Sequence, residues 1–587
     1  MQATTLLRPR VTTRSSQRLL RRPSPAVLCF CLFLSLYMAA ALFIAFSGAT
    51  DLLGGDGVSR VEIADRMLFS RDPHLAAIGF VWSPLPVVAL LPLVALKPIW
   101  PFLVTGALAG NIVSAIFMAG AVVQMLGLLG DLAVGRRMRW ALTVAFALQP
   151  MIILYAANAM SEAPLIFFLL LVVRRLYEWL RFRQVGALAA TGFFLALGYL
   201  TRYEAAAAAV AVTVVVAIAT LRATRGDFDA RLRQALVDVT VVIAPFLAAF
   251  ASWAIISWVI KGSLFEQFTS SYGNQVQLQT RGIRGADSLG HLATMFGTAV
   301  RWAMGVEPFL GLALIACVVV AVRHRNWATL AVPTVLGAVV AFMAAAFVTG
   351  KVDEEMRYFI VTIPLTIVTV GIAVGERRGP EAVPATPDHD GSKVVYHQVV
   401  SWRRAAARWG GDLCGRILPV AAVVAMATTI LLNFQGLTDP ALDTRAAVAL
   451  EATVNFGTLT PAQRAASSRE RVDLAVSRYV DSLNPGPGTV LLDDFLGFVI
   501  VMTSTHQDQY VITSDTDFEQ ILADPSANGV KYVLIPEDTV EGTLDAVNRA
   551  YPGAYATGKG IGKLVETFHD TSDNETDWRL YRISAAS

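Results

Sequence analysis

Long apolar runs without charged residues recur along most of this chain, and they indicate its fold class. Six of them are long enough to cross about 30 Å of hydrocarbon as helices, at residues 26–50, 101–130, 140–161, 239–260, 327–350 and 358–375. Charged side chains lie between the runs rather than within them. The pattern therefore predicts a mainly α, polytopic membrane helix bundle.

After the first two spans the pattern predicts four helical hairpins, each bounded by arginines and each with a polar tip. The tips fall at residues 161–164, 201–204, 261–305 and 351–357. A short apolar run at 85–96 stops at Lys97-Pro98 and predicts a partly embedded helix beside the membrane. A cytoplasmic loop at 376–416 and a last span at about 417–435 follow. This gives about eleven spans within a transmembrane domain at 26–435.

The distribution of positive charge predicts the orientation. Residues 1–25 form a basic N-terminus with six arginines, which should stay in the cytoplasm. Of the 48 lysines and arginines, 26 fall in the predicted cytoplasmic segments, 11 in the outer loops and 11 in the tail. This asymmetry places the hairpin tips and the C-terminus outside a cell membrane. The first apolar run lacks a convincing cleavage site, so we expect an anchor rather than a signal peptide.

The tail, residues 440–587, has a different composition, with 21 acidic and 11 basic residues. Strands are predicted at 489–492, 510–513, 532–535, 564–568 and 578–583, with helices at 518–522 and 544–550. The pattern indicates a small soluble α/β domain outside the cytoplasm. Asp493 and Asp494 end a strand, where open α/β sheets often bind ligands. An acidic strand end in water is the simpler interpretation.

Composition excludes a soluble globular protein. The chain has 587 residues, of which 55% are hydrophobic, and its mean hydropathy is +0.54. Its four cysteines lie in or beside apolar runs, and its seven histidines are scattered. Neither a disulfide framework nor a metal site of the CxxC type is predicted.

The first outer loop, residues 51–86, carries eight charged residues in an otherwise apolar half of the chain. Ser59 and Glu62 have the spacing of a capping box, which predicts a helix beginning near Arg60 and lying along the membrane surface. Asp56 then falls in a glycine-rich turn, where a substrate can approach the backbone closely. Asp56 is the best general-base candidate in the chain. A plain turn former is the alternative.

Other ionisable residues share the predicted outer face, and each is a candidate for substrate binding. They are Arg60, Glu162, Arg202, Glu204, Lys351 and Arg357. Only 11 uncharged residues separate Glu162 from Arg174. Either Glu162 therefore lies below the surface and faces a cavity, or the arginines snorkel. Arg202 and Glu204 also fit a simple interfacial ion pair, and the acidic run at 353–355 fits a solvated loop.

These residue types suit one reaction. A polyprenyl-phosphate sugar presents its phosphate at the membrane surface, where cations can neutralise the leaving group while a carboxylate takes the proton of an acceptor hydroxyl. We therefore expect a hexosyl- or pentosyltransferase that acts on an extracytoplasmic glycan, lipid or protein. Transfer would be an inverting single displacement with Asp56 as general base. The lipid-phosphate sugar is the donor substrate, a divalent metal is an open alternative as cofactor, and no nucleic acid partner is predicted.

Several motifs occur in a characteristic order: Gly55-Asp56, Ala64-Asp65-Arg66, Asp72-Pro73, Gly79, Trp82-Ser83-Pro84-Leu85-Pro86, Ser161-Glu162 and Leu200-Thr201-Arg202-Tyr203-Glu204-Ala205. In this order they resemble the GT-C superfamily of membrane glycosyltransferases, including the aminoarabinose transferase and protein mannosyltransferase families. The resemblance covers residues 25–225 well and the later spans only in layout. It implies that Asp56 is the catalytic base and that Glu162 and Arg202 line the cavity where donor phosphate and acceptor meet.

Two departures from the superfamily pattern affect what the resemblance implies. Many members have two adjacent carboxylates in the first loop, whereas Gly57 follows Asp56 here. The resemblance therefore does not decide whether a divalent metal is bound. Relatives with the same Trp-x-Pro-Leu-Pro signature often have histidine where Arg60 stands, which leaves the donor sugar and the acceptor open.

Two other functions fit a chain of this layout. A transporter or flippase of lipid-linked sugars would also have many spans and a polar cavity, but it more often shows internal repeats and broken helices. No similarity between the two halves is visible in the sequence. A scaffold that binds a partner through its tail would not need eleven spans or matching polar tips.

Overall fold

The computed structural model describes residues 24–47, 55–324, 327–353, 355–375, 413–438, 471–569 and 576–583. The basic N-terminus, most of the predicted cytoplasmic loop and the start of the predicted tail domain lie outside these residues, as do Asp51 and Glu354.

The first part of the bundle runs through α1 (Pro25–Ser47), α2 (Gly55–Phe69), α3 (Pro84–Val94), α4 (Phe102–Thr105), α5 (Leu108–Asp131), α6 (Arg136–Ala147), α7 (Pro150–Ala157), α8 (Glu162–Phe182), α9 (Val185–Tyr199), α10 (Ala205–Ala223) and α11 (Phe228–Lys261). The second part comprises α12 (Glu266–Thr269), α13 (Asn274–Thr280), α14 (Leu289–Val306), α15 (Leu310–His324), α16 (Ala331–Val348), α17 (Thr362–Val374) and α18 (Leu413–Leu437). Short 3₁₀ turns lie at Leu75–Ile78, Trp327–Leu330 and Met356–Phe359.

Seven helices of the described chain are long and apolar enough to cross a membrane, namely α1, α5, α10, α11, α18, and α16 and α17 with the turns before them. Two bent pairs, α6–α7 at 58° and α14–α15 at 83°, bring the number to nine if each pair is one span. The predicted count of eleven is not confirmed. It included α8, whose last turns carry Arg174, Arg175, Glu178 and Arg181, and α9, which has only 15 residues.

Small residues allow the close helix contacts on which the bundle depends. A Cβ on Gly192 of α9 would lie 2.3 Å from the carbonyl oxygen of Val242 on α11, and one on Gly120 of α5 would lie 2.8 Å from the Phe167 ring on α8. Membrane helices gain stability from such backbone approach, because lipid is as apolar as their side chains. The outer tip predicted at 261–305 is shorter than expected, since α14 begins at Leu289.

The tail folds around a five-stranded sheet of β1 (Val490–Leu491), β2 (Tyr510–Val511), β3 (Tyr532–Pro536), β4 (Gly562–Phe568) and β5 (Trp578–Ile583). The strand order is β2-β1-β3-β5-β4, with β1 parallel to β2 and β3, and with β5 antiparallel to β3 and β4. Its helices are α19 (Arg471–Leu483), α20 (Asp494–Thr503), α21 (Phe518–Ala523), α22 (Ala546–Ala550) and α23 (Ala554–Thr557), with 3₁₀ turns at Gln507–Gln509 and Gly542–Leu544. The predicted α/β fold is confirmed. The helix α20 was missed, because its nearly uniform apolar sequence has no helical period.

Candidate active site

Helix α2 begins earlier than predicted and carries the general-base candidate. It begins at Gly55, so Asp56 lies in its first turn, where the helix dipole favours a carboxylate. The predicted capping box is wrong: Ser59 donates to the Asp56 carbonyl at 3.1 Å, and Glu62 pairs with Arg66 at 3.4 Å. The helix is also buried on most sides, so the rest of the chain packs around it.

Gly57 fixes the position of Asp56 against the rest of the bundle. A Cβ at Gly57 would lie 2.8 Å from the carbonyl oxygen of Asn158 and 3.1 Å from Ala159, in the loop between α7 and α8. Only a residue without a side chain lets α2 approach this loop so closely. Glycine at this position therefore serves packing, and it brings Asp56 beside the start of α8.

Three arginines surround Asp56: Arg60 from the same helix, and Arg202 and Arg357 from distant segments. Arg357, in the turn before α17, donates to its carboxylate at 3.1 Å, and Arg60 donates to its carbonyl at 3.0 Å. Burial raises the pKa of Asp56, but the positive charges of Arg357, Arg60 and Arg202 outweigh burial and hold this pKa below its ordinary value. The Asp56 side chain is 31% exposed. It is therefore an ionised carboxylate that another molecule can reach.

Arg202 links two motifs, Ser161-Glu162 and its own motif at residues 200–205, to this site. It pairs with Glu162 at 2.7 Å and with Glu204 at 2.7 Å, and it donates to Ser161 at 3.1 Å. Glu162 is 1% exposed at the first turn of α8, and its second carboxylate oxygen has no hydrogen-bond partner among the described residues. Glu162 is therefore buried among protein side chains, and its position below the membrane surface, facing a cavity, stays a prediction.

The remaining motif residues support the arginines. Arg60 is buried with its guanidinium 4.9 Å from the ring centre of Trp82, a cation–π contact. The backbone N–H of Leu85 donates to the carbonyl of Leu200 at 2.8 Å, which joins the Trp-Ser-Pro-Leu-Pro motif to the motif of Arg202. Motifs that are far apart in sequence thus meet around one carboxylate.

Lys351 differs from the other candidates. Its backbone carbonyl accepts from Asn274 at 2.8 Å, its side chain is exposed, and it takes part in none of the contacts described above. The neighbouring acidic run is not simply solvated: Asp353 accepts from Tyr358 at 2.7 Å, and Glu355 pairs with Arg357. Its carboxylates help to hold the turn that carries Arg357.

The tail docks beside this site through contacts that the sequence did not predict. Asp493 and Asp494 are 0% and 3% exposed, so the interpretation of an acidic strand end in water is wrong. Asp493 caps α20 by accepting from Phe495 at 2.8 Å, and it accepts from Tyr272 of the outer tip at 2.7 Å. Asp494 pairs with Arg66 of α2. Both carboxylates are occupied by partners within the chain rather than open to a ligand.

Further ion pairs extend this junction beyond the end of α2. Arg71 pairs with Asp515 at 2.9 Å and with Asp517, and the backbone N–H of Thr516 donates to Asp72 at 3.0 Å. A second contact is centred on Asp65, which accepts from Lys97 at 2.8 Å and from Gln507 of the tail at 2.6 Å. The helix that carries Asp56 is therefore held by the bundle on one side and by the tail on the other.

Comparison with known proteins supports the fold but supplies no close relative. No family model and no curated protein matches the chain. ArnT from Cupriavidus metallidurans bound to undecaprenyl phosphate matches with a TM-score of 0.51 at 14% sequence identity, covering 96% of this chain and 98% of that chain. The apo state of the same protein matches with a TM-score of 0.47 at 14% identity, covering 95% and 98%.

At this low identity the likeness defines the fold. The chain has the fold of ArnT over nearly its whole length. It is a multi-pass membrane protein with a small α/β domain after the bundle. The resemblance predicted from the first-loop motifs is confirmed at the level of the fold.

Proposed function

We propose that the protein is a glycosyltransferase that moves a sugar from a polyprenyl-phosphate donor to an extracytoplasmic glycan, lipid or protein. One observation carries the proposal: an ionised, partly exposed Asp56 is surrounded by the guanidinium groups of Arg60, Arg202 and Arg357. Guanidinium is the side chain best suited to bind a phosphate through paired hydrogen bonds. ArnT, whose fold the chain shares, was solved with undecaprenyl phosphate, a lipid of the donor class.

The arginines would bind the phosphate of the donor. Without donor, Arg357 is paired with Asp56, as the 3.1 Å contact records. A donor phosphate competes for this guanidinium and brings negative charge towards Asp56. Because the charge of Arg357 helps to hold the pKa of Asp56 low, its neutralisation raises that pKa. Donor binding thus makes Asp56 a stronger base.

Transfer then follows as one displacement. Asp56 takes the proton of the acceptor hydroxyl while the hydroxyl oxygen bonds to the anomeric carbon of the sugar. The bond from that carbon to the phosphate oxygen breaks on the opposite side, and its electron pair leaves with polyprenyl phosphate. Arg202 and Arg357 stabilise the charge that develops on this leaving group. The configuration of the sugar is inverted.

A divalent metal does not fit this site well. Arg357 is tied to Asp56, and Arg202 is tied to Glu162 and Glu204, so guanidinium groups already occupy the carboxylates. The described residues also contain no group of three or more His, Cys, Asp or Glu side chains positioned to share an ion. The proposed reaction therefore uses the arginines rather than a metal to neutralise the phosphate.

The test uses the purified full-length protein in lipid nanodiscs with a labelled polyprenyl-phosphate sugar. Release of polyprenyl phosphate when acceptor-containing membranes are added supports transfer. The Asp56→Asn variant should bind the donor but not release its lipid. Binding by wild type without release under any acceptor condition would instead favour a transporter, and no binding would favour a scaffold.

One observation favours the transporter alternative and keeps it in the test. The bent pairs α6–α7 and α14–α15 are broken helices, a feature common in transporters. Sealed vesicles separate the two functions: a flippase moves labelled lipid between leaflets whether or not Asp56 is intact. Movement of donor that depends on the protein and survives Asp56→Asn would overturn the transferase proposal.

A further inference from the structure

The two broken spans meet at a pair of polar residues that the proposed chemistry does not use. Gln149 joins α6 to α7, and Glu307 lies between α14 and α15. Each precedes a proline, Pro150 or Pro308, which disfavours helical geometry in the residue before it. Gln149 has ψ 129° and Glu307 has ψ 86°, both outside the helical region. The sequence therefore sets both breaks.

Both residues lie deep within the bundle. The 12-residue α6 rises about 18 Å from its arginine-bearing end before it reaches Gln149. Gln149 and Glu307 are both 0% exposed. The amide of Gln149 donates to Oε1 of Glu307 at 3.0 Å and to Thr429 of α18 at 2.8 Å. A direct hydrogen bond thus joins the two breaks.

Asn433 of α18 ties the same breaks together through their backbones. Its side-chain oxygen accepts from the N–H of Met151, and its side-chain nitrogen donates to the carbonyl of Val306, at 3.0 and 3.2 Å. These bonds use backbone groups that the helix breaks would otherwise leave unpaired in a buried place. Three spans are therefore joined by one small polar cluster.

Two acceptors in this cluster lack a donor. Oε2 of Glu307 and Oε1 of Gln149 are buried and have no hydrogen-bond partner among the described residues. Among the described residues Glu307 has no ion-pair partner: its Oε1 accepts from the neutral amide of Gln149, and its Oε2 accepts from none. A lone ionised carboxylate is very costly to bury. The cluster lacks one positive charge and one hydrogen-bond donor.

We infer that Glu307 is a proton-binding site, whose carboxylic acid donates from Oε2 to the unpartnered oxygen of Gln149. A single proton supplies both the missing charge and the missing donor. It completes a two-bond pair between acid and amide, of which the bond of 3.0 Å is the first half. A Ca²⁺ ion would need roughly six to eight oxygen ligands, whereas the two oxygens named above are the unpartnered ones of this cluster.

The proton would stabilise the helices beneath the candidate active site. From Gln149, α7 leads to Asn158 and Met160, which contact Gly57 and Arg357. On α14, Trp302 packs against Phe359, at the end of the turn that carries Arg357, with ring centres 6.1 Å apart. Loss of the proton should loosen both supports. This inference does not depend on the proposed transfer reaction.

Infrared spectroscopy tests the protonation state directly. At neutral pH the wild-type protein should show the C=O band of a protonated carboxylic acid, shifted in D₂O. The difference spectrum between wild type and Glu307→Gln should contain this band. The difference spectrum between wild type and Asp229→Asn, a control at an exposed carboxylate on α11, should lack it. Glu307→Gln keeps a neutral side chain of the same shape, so its melting temperature should stay close to that of wild type and should not fall at alkaline pH.

A second variant covers failure of the first to fold. Gln149→Leu removes the acceptor, so the same band should persist but move to the higher frequency of a carboxyl group without a hydrogen bond. Absence of the band from the difference spectrum between wild type and Glu307→Gln at neutral pH would overturn the inference, because Glu307 would then be ionised. A melting temperature that rises with sodium in wild type but not in Glu307→Gln would overturn it in favour of a cation site.

Discussion

The two ends of helix α2 use the same residue types in opposite ways. Around Asp56 the carboxylate is 31% exposed, and its arginine partner can be shared with another anion. Around Asp494 the carboxylate side chain is only 2% exposed, and Arg66 and Thr513 fill its acceptor positions. An arginine–carboxylate pair is therefore a candidate site only where another molecule can reach it, as at the Asp56 end of α2, which we call the open end. At the Arg66 end, which we call the closed end, the pairs are buried and hold α2 in place.

The largest effect should come from breaking the closed end. Asp494→Asn removes the nearer of the two buried carboxylates that pair with Arg66 and leaves only Glu62 at 3.4 Å. Loss of one member of a buried ion pair costs about 3–5 kcal/mol of stability. We expect the melting temperature of the full-length protein to fall. The triple variant Glu62→Gln/Arg66→Met/Asp494→Leu removes all three charges of this cluster and should regain most of the loss. If the single variant melts like wild type, the tail does not hold α2 through this pair.

At the open end, Arg357→Ala should lower kcat about 10²–10³-fold, the usual cost of losing one group that stabilises a developing negative charge. Donor binding should weaken as well, because Arg357 is proposed to bind the phosphate. Lys351→Ala is the matched control: this exposed lysine lies six positions earlier and takes part in none of the site contacts described above. Equal losses of kcat in the two variants would mean that turnover depends on the overall positive charge of this region and not on the Arg357 guanidinium itself.

The link between the two ends can be tested at Gly57. Gly57→Ala places a methyl group 2.8 Å from the carbonyl oxygen of Asn158, so α2 must shift. We expect about 1–3 kcal/mol of destabilisation from overpacking, and a fall in kcat larger than the change in KM. Gly55→Ala, two residues earlier, meets nothing within 4 Å and should be neutral. Similar behaviour of the two variants would show that Asp56 does not need its present position.

The smallest effect concerns pH at the closed end. Burial raises the pKa of Asp493 and of Asp515 to about 6, although hydrogen bonds to Asp493 and the charge of Arg71 beside Asp515 oppose the shift. Both carboxylates bind protons more tightly in the folded state than in the unfolded chain, so stability should be lost as pH rises from about 4 to about 6. The melting temperature should therefore be higher at the acid end of this range. Asp493→Asn should reduce this slope, and an unchanged slope would assign it to other groups.

Local patterns in the sequence predicted much of the fold. The tail strands were found because short β-branched runs alternate with turn residues, as at 532–535. The capping box failed because residues before Ser59 are themselves helical, which depends on Gly57 packing against a loop 101 positions away. Glutamine or glutamate before proline within apolar runs was a visible signal for the two breaks, at Gln149 and Glu307.

Long-range partners set the limits of that prediction. Asp56 and Arg357 are 301 positions apart, and Arg66 and Asp494 are 428 apart. Sequence analysis placed Asp56, Arg202 and Arg357 among the candidates because ionisable residues are rare in apolar surroundings. The sequence did not distinguish these three residues from Lys351, and it did not show that Asp494 pairs with Arg66. Both facts depend on contacts between residues that are far apart in the chain.

The most direct test of the proposed function is the turnover of Asp56→Asn. Asparagine keeps the shape and polarity of the side chain but cannot accept the proton of the acceptor. Transfer from a labelled polyprenyl-phosphate sugar, measured as released polyprenyl phosphate, should fall about 10²–10⁴-fold, with donor affinity unchanged or tighter because Arg357 loses its competitor. Turnover within about threefold of wild type would contradict Asp56 as the general base, since that loss lies far below the value of acid–base catalysis.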